Sequence, residues 1–200
     1  DECTFTIEVI GDPEFHFLIE KSEGEQEGIP GVLQGHHDYV DVSLMNGKQE
    51  MYGYDFLIGY DAGALTFMGA EDKLDDAYGW EYFTYRYSWN GNCGNACPTG
   101  LLRVVGMVEK NDGATGGDPV IYIDEPIVMF TLDFLVSNNR LYECMYVPIY
   151  WYWYDCGDNT VAHYPFVAPL PEDDPYHLTR ATAMASQVYL YTGVESQNYL

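Results

Sequence analysis

The sequence predicts an all-β protein of about nine or ten antiparallel strands, arranged as a sandwich or barrel. Three observations carry this expectation. Apolar and polar residues alternate in short runs bounded by Gly, Asn, Asp or Pro, which is the strand signal. Tyr occurs 19 times, with 20 Gly and 10 Pro, a bias toward strands and turns over helices. The runs follow one another at a spacing that suits a sandwich or barrel and not a βαβ array.

In chain order, residues 4–10 (TFTIEVI) place Phe5, Ile7 and Val9 on one face of a first strand. Residues 14–20 repeat the pattern with Phe15, Phe17 and Ile19. Residues 21–38 are rich in charge and Gly and read as a solvated loop. Residues 39–44 alternate again, with Val40, Val42 and Leu44 inward. Within 53–68, GYDFLIGYDAGALTFM, one face collects Tyr54, Phe56, Ile58 and Tyr60. Asp61-Ala62-Gly63 then turns the chain, and Leu65 and Phe67 resume a strand. Residues 71–78 suit one or two helical turns, and further strands are predicted over 80–89, 101–109, 127–136, 141–154 and 187–192. In 127–136 the alternation puts Val128, Phe130, Leu132, Phe134 and Val136 on one inward face, packed with Phe56 and Ile58. The Pro-rich passage 163–175 reads as a long loop before the last strand. No internal repeat of fixed period is visible, and a length of 200 residues suits one domain or at most two small ones, so residues 1–200 are read as a single β-sandwich domain with elaborated loops.

Charge and hydropathy restrict the function. Eight basic against 32 acidic side chains give a net charge of −24 and a pI near 4.1, a field that repels phosphate. Nucleic acid and anionic membrane surfaces are therefore poor partner candidates, and neither is expected. Hydrophobic residues at 47% and aromatics at 16% provide enough apolar area for a folded core and argue against disorder. No run of 18 apolar residues is present, so no helical membrane span is expected. The chain opens Asp1-Glu2-Cys3 without a signal peptide and reads as a mature or trimmed product.

Residues 39–71, YVDVSLMNGKQEMYGYDFLIGYDAGALTFMGAE, resemble the opening strands of cohesin-type domains. In that family a strand of the form G-[FY]-[DQ]-F-x-[IL]-x-Y-D precedes a small-residue turn and then L-x-F. Gly53, Tyr54, Asp55, Phe56, Ile58, Tyr60, Asp61, Leu65 and Phe67 fit this pattern, and IVMFTLDFLV (127–136) is similar to the family's long core strand. The resemblance implies a jelly-roll-type antiparallel β-sandwich, related to carbohydrate-binding modules and found in secreted bacterial proteins. It implies roles in docking, cell-surface attachment or scaffolding. The stretches 80–97 and 144–156, aromatic and Cys-containing, depart from ordinary cohesins and look closer to divergent cohesin-like repeats.

Three groups of residues are candidates for sites. Cys93 and Cys97 flank three small residues, and Cys144 and Cys156 bracket an aromatic run. Both pairs are expected to be disulfides of an extracellular or cell-surface protein, against zinc or free thiols. Cys3 is then left over for an intermolecular partner. Tyr150, Trp151, Tyr152, Trp153 and Tyr154 make a strand aromatic on both faces, and Tyr85, Tyr87 and Trp89 nearly repeat it. Such aromatics suit core packing, a subunit contact or a glycan platform. Asp112, Asp118, Asp155 and Asp158 lie in oxygen-rich loops of a kind that holds calcium, against the alternative of a solvated acidic face. Otherwise no cofactor is expected.

Catalytic patterns are missing. Carboxylate pairs carry no information among 32 acids, and the five His show no HExxH spacing. There is no G-x-S-x-G elbow, no phosphate loop and no N-x-[ST] sequon. The chain is read as a non-enzyme. The first expectation is an extracellular structural subunit that self-assembles, as a homo-oligomer or polymer, into a fibre, sheath or surface layer. The alternative is a cohesin-like binding module for a glycan or a partner protein.

Overall fold

A computed structural model describes residues 15–22, 32–47, 50–89, 98–110, 117–122, 124–153, 158–162 and 196–199, the last four and residue 89 by their backbone only. The strands are β1 (Phe15–Lys21), β2 (His37–Gly47), β3 (Gly53–Tyr60), β4 (Leu65–Asp72), β5 (Tyr82–Trp89), β6 (Gly100–Met107), β7 (Ile127–Val136), β8 (Tyr146–Trp151), β9 (Thr160–Ala162) and β10 (Ser196–Tyr199). One short helix, α1 (Leu74–Tyr78), follows β4. Sheet one has the order β1-β2-β7-β4, and sheet two the order β10-β8-β3-β6-β5, with β9 pairing β3. Every pairing is antiparallel. The two sheets close over one core, so the expected sandwich is the fold and no barrel forms.

The core follows from the period of two. Val40, Val42 and Leu44 of β2, with Phe130, Leu132, Phe134 and Val136 of β7, are buried against Tyr54, Phe56, Ile58 and Tyr60 of β3. Aromatic rings run through the layer. Phe56 lies 5.0 Å from Phe17 and 4.9 Å from Trp151, both edge-on, and 4.9 Å from Tyr54 in a stacked pair. Tyr54 continues to Phe130 at 5.5 Å and Trp80 at 5.7 Å. Such offset and edge-to-face pairs add to the gain from burial alone.

Two tyrosines also set the register of β3 against β6. Tyr54 faces Gly106 and Tyr60 faces Gly100. A Cβ on Gly106 would stand 2.5 Å from Tyr54 Cζ, and one on Gly100 would overlap the Tyr60 ring. Each ring therefore occupies the space that a side chain would fill on the neighbouring strand. Because the tyrosines and the glycines have equal spacing, both pairs form together in a single register, and a slip brings a ring against a side chain.

Among the described residues one charged residue is buried. Asp38 continues the inner face of β2 and is only 2% exposed, and neither carboxylate oxygen has a hydrogen-bond partner. Burial raises its pKa to about 6, against the opposing pull of the Lys21 ammonium.

The structure corrects several expectations. Val128 is not part of the inward face of β7: it is 36% exposed, and Met129 is buried in its place. The cause is a bulge, since Val42 pairs Phe130 while Ser43 pairs Val128, leaving Met129 as an extra residue. Strict alternation therefore fails one step before Phe130. The Met129 carbonyl accepts instead from Lys73 N–H at 3.0 Å, which docks the start of α1. Residues 141–145 are not strand, because a 3-10 turn, Arg140–Tyr142, is capped by Asn139 Oδ1 accepting from Leu141 N–H at 3.1 Å. His37 and Asp38, assigned to a loop, belong to β2, and Lys21 belongs to β1. The short β9 and β10 have no counterpart among the expected strands. The expected strands 4–10 and 187–192, loop residues 23–31 and the Pro-rich passage 163–175 lie outside the described residues. Among the described residues no helix is long and apolar enough to cross a membrane.

Candidate functional site

The registers assign each residue of sheet two to a face. Outward positions are Tyr146, Pro148 and Tyr150 on β8, Gly53, Asp55, Leu57 and Gly59 on β3, Leu101, Arg103, Val105 and Met107 on β6, and Tyr82, Thr84, Arg86 and Ser88 on β5. Leu57, Leu101, Val105, Met107, Pro148 and Tyr150 are partly exposed there. Across the strands, Leu57, Arg103 and Arg86 share one row, and Asp55, Val105 and Thr84 the next. Asp55 and Arg103 join the two rows by a two-pronged ion pair, Nε to Oδ1 at 2.7 Å and the terminal nitrogen to Oδ2 at 2.5 Å.

The edge of this face beside β3 is built by substitution for a missing strand segment. β8 pairs β3 at Ile58 and Gly59, and β9 pairs it at Gly53 to Asp55. Between them Asn159 supplies a side-chain amide: its Oδ1 accepts from Leu57 N–H at 2.8 Å, and its Nδ2 donates to Tyr152 O at 2.8 Å. Asn159 is 1% exposed with φ +56°, a conformation that Asn adopts more readily than most residues. Tyr150 lies over Gly59, where a Cβ would be 3.0 Å from Tyr150 Cζ and 3.1 Å from Pro98 Cβ. Burial raises the Tyr150 hydroxyl pKa, with the neighbouring Tyr152 and Asp61 adding to the effect.

The outer face of sheet one is chemically different. Its outward positions carry the acids Glu20, Asp41, Glu71 and Asp133. His37 Nδ1 lies 2.6 Å from Asp133 Oδ1, and Thr131 Oγ1 donates to Asp41 Oδ1 at 2.6 Å. Sheet two carries one outward acid, Asp55, with two arginines and the apolar set above. In a chain of net charge −24, the second face is locally cationic and apolar.

The aromatics considered for core packing, a subunit contact or a glycan platform are dispersed. Trp151 is a core residue at 8% exposure, wedged against Phe56 and Phe17, which removes it from the contact set. Its neighbour Tyr150 points the opposite way because strand side chains alternate. Trp153 is 40% exposed just beyond β8. Tyr85 and Tyr87 turn toward the gap between the sheets and flank Phe67 at 5.4 and 5.5 Å, keeping 38% and 55% exposure at that rim. Tyr154 and the Trp89 side chain lie outside the described residues.

Cys144 is exposed and has φ +62°, while Cys3, Cys93, Cys97 and Cys156 lie outside the described residues. Of the aspartates considered for calcium, Asp118 is held by its backbone, its N–H donating to Tyr78 O and its carbonyl accepting from Trp80 Nε1. Asp158 precedes β9, and Asp112 and Asp155 lie outside the described residues. Among the described residues no three His, Cys, Asp or Glu come together as a metal-holding group. Leu57, Arg86, Arg103, Val105 and Asn159 were not singled out by sequence reasoning. The signal was available: LRV at 102–104 and YRYS at 85–88 place an arginine out of phase with inward Leu, Val and Tyr.

No family model matches the chain, and no curated protein matches it. Solved structures do. CaCohA2 from Clostridium acetobutylicum, a solution structure, has a TM-score of 0.51 at 10% identity over 94% of this chain and 91% of that one. The sixth cohesin of scaffoldin B from Acetivibrio cellulolyticus, solved with a Cel5 dockerin, has a TM-score of 0.48 at 19% identity over 77% and 92%. A cohesin module from a Clostridium perfringens family 33 glycoside hydrolase has a TM-score of 0.46 at 10% identity over 76% and 84%. The fold of this chain is thus a cohesin-like, jelly-roll-type β-sandwich.

Proposed function

We propose that the chain is a non-catalytic docking module, extracellular or at the cell surface, that holds a protein partner on the outward face of β8, β3, β6 and β5. The observation that carries this reading is the asymmetry between the two faces. The outer face of sheet one carries four acids beside the exposed Tyr39 and Val128, whereas that of sheet two carries one acid, with Leu57, Leu101, Val105, Met107 and Tyr150 around two arginines. Apolar side chains set among Arg and Tyr have the composition of an interface core. The likeness of fold to CaCohA2 supports the same reading, since that module has been crystallised in complex with a variant of CaDoc0917. This docking role replaces the self-assembling fibre subunit as the preferred function. Dispersal of the aromatics weakens the glycan platform equally, because Tyr150, Trp151, Tyr85 and Tyr87 do not share a surface.

The test combines sedimentation with titration. The purified chain is expected to sediment as a concentration-independent monomer and to bind one dockerin module from a panel that includes CaDoc0917. Leu57→Glu should abolish that binding with the melting temperature unchanged. Filaments or concentration-dependent polymers of the chain alone would return the structural-subunit reading.

A further inference from the structure

We propose that Arg86 is the specificity-determining residue of this docking face, receiving a lone carboxylate from the contact surface of the partner protein. The inference rests on the docking reading above and adds the chemistry of what docks. Arg86 and Arg103 stand directly opposite one another on β5 and β6 and point to the same side. Side chains so placed have Cβ atoms about 4.5–5.5 Å apart, and like charges there destabilise the pair. Arg103 is compensated by the two hydrogen bonds to Asp55. One carboxylate cannot neutralise two guanidinium groups. Arg86 is exposed and forms no hydrogen bond or ion pair among the described residues.

Abundance makes this arrangement informative. The chain has 8 cationic side chains and 32 carboxylates, yet Arg86 forms no ion pair with a described acid and stands beside another arginine, a placement of like charges that is a local cost. The cost is removed when an anion arrives. Leu57, Leu101 and Val105 surround the arginine row and would be covered by any docked surface. A partner that covered them without an anion would strand the Arg86 charge away from water, which is strongly unfavourable. A partner lysine would be worse. A carboxylate can accept both prongs of the guanidinium fork, and its bonds strengthen as water leaves. The net charge of −24 repels extended polyanions. The occupant is therefore a protein segment with one Asp or Glu set among apolar side chains, its remaining surface neutral or basic.

The experiment asks the surface for its own preference. A phage-displayed library of random peptides is selected on the 200-residue chain, and every binder is then tested against Leu57→Glu. Clones that lose binding to Leu57→Glu should share an Asp or Glu at a fixed position flanked by apolar residues. Their affinity should fall about tenfold or more in Arg86→Gln, as expected for a charge-assisted hydrogen bond. Arg140→Gln, which removes the same charge elsewhere, should leave it unchanged. Reversing both partners, Arg86→Glu against a Lys in place of the peptide's acid, should recover binding. Face-dependent clones without a fixed acid, or indifferent to Arg86→Gln, would overturn the inference and leave docking intact. A library that yields no clone sensitive to Leu57→Glu would overturn both. A dimer of the chain alone that Arg86→Gln dissociates would make a second copy the occupant and also overturn the assignment.

Discussion

Replacing Asp38 by Asn should stabilise the protein at neutral pH and not in acid. The carboxylate is 2% exposed without a hydrogen-bond partner, and its pKa is raised from 3.8 to about 6 by burial, Lys21 opposing. A folded-state pKa above the unfolded one means that the native state holds a proton which the unfolded chain has released. No penalty is felt below about pH 4, where both states are protonated. The penalty grows between about pH 4 and pH 6 and is complete above, where the native state carries a buried charge. A shift of roughly two units corresponds to about 3 kcal/mol at 1.36 kcal/mol per unit. Asn keeps the shape and cannot ionise. Urea unfolding of both proteins, followed by tryptophan fluorescence from about pH 4 to pH 7.5, isolates this group, because the repulsion among the other acids is common to both. The variant's advantage should rise from near zero to about 3 kcal/mol over that range. An advantage that is constant with pH, or a variant that loses ground as pH rises, would refute the assignment of Asp38 as a buried acid without a hydrogen-bond partner.

Three further outcomes follow from the packing. Gly106→Ala should cost about 1–3 kcal/mol, because its Cβ would meet the buried Tyr54 ring at 2.5 Å, and adding Tyr54→Leu should recover part of the loss in a double-mutant cycle. Val128→Lys should unfold at the same urea concentration as the parent within error, whereas Met129→Lys should lose several kcal/mol, the reverse of what alternation alone predicts. Asn159→Ala should cost about 2–4 kcal/mol by stranding Leu57 N–H and Tyr152 O, and hydrogen exchange should show selective loss of protection at the Leu57 amide.

What sequence decides here is what period and local chemistry decide. A period of two sorts inward from outward side chains within each strand, so the faces of β2, β3 and most of β7 were legible. The Tyr54 and Tyr60 spacing, matched by Gly106 and Gly100, is likewise written in the chain, although its meaning as a register device needs the pairing. The cohesin-like motif in β3 and β4 pointed to the right fold from these same residues. Pairing between strands distant in sequence is a different kind of information. The bulge at Met129 exists because β2 and β7 must both meet their partners, and no window of β7 alone contains that constraint. The Asn159 bridge joins residue 57 to residue 152 through a residue 102 positions away from the first. Arg86 and Arg103 are separated by a stretch that includes the whole connection between β5 and β6, so their opposition appears only once the register is set. Burial of Asp38 also escaped sequence reasoning, because an acid at the end of a charged loop reads as solvated until the opposing sheet covers it. Alternation is a property of neighbours along the chain; which charges face one another, and which lose water, depends on neighbours across it.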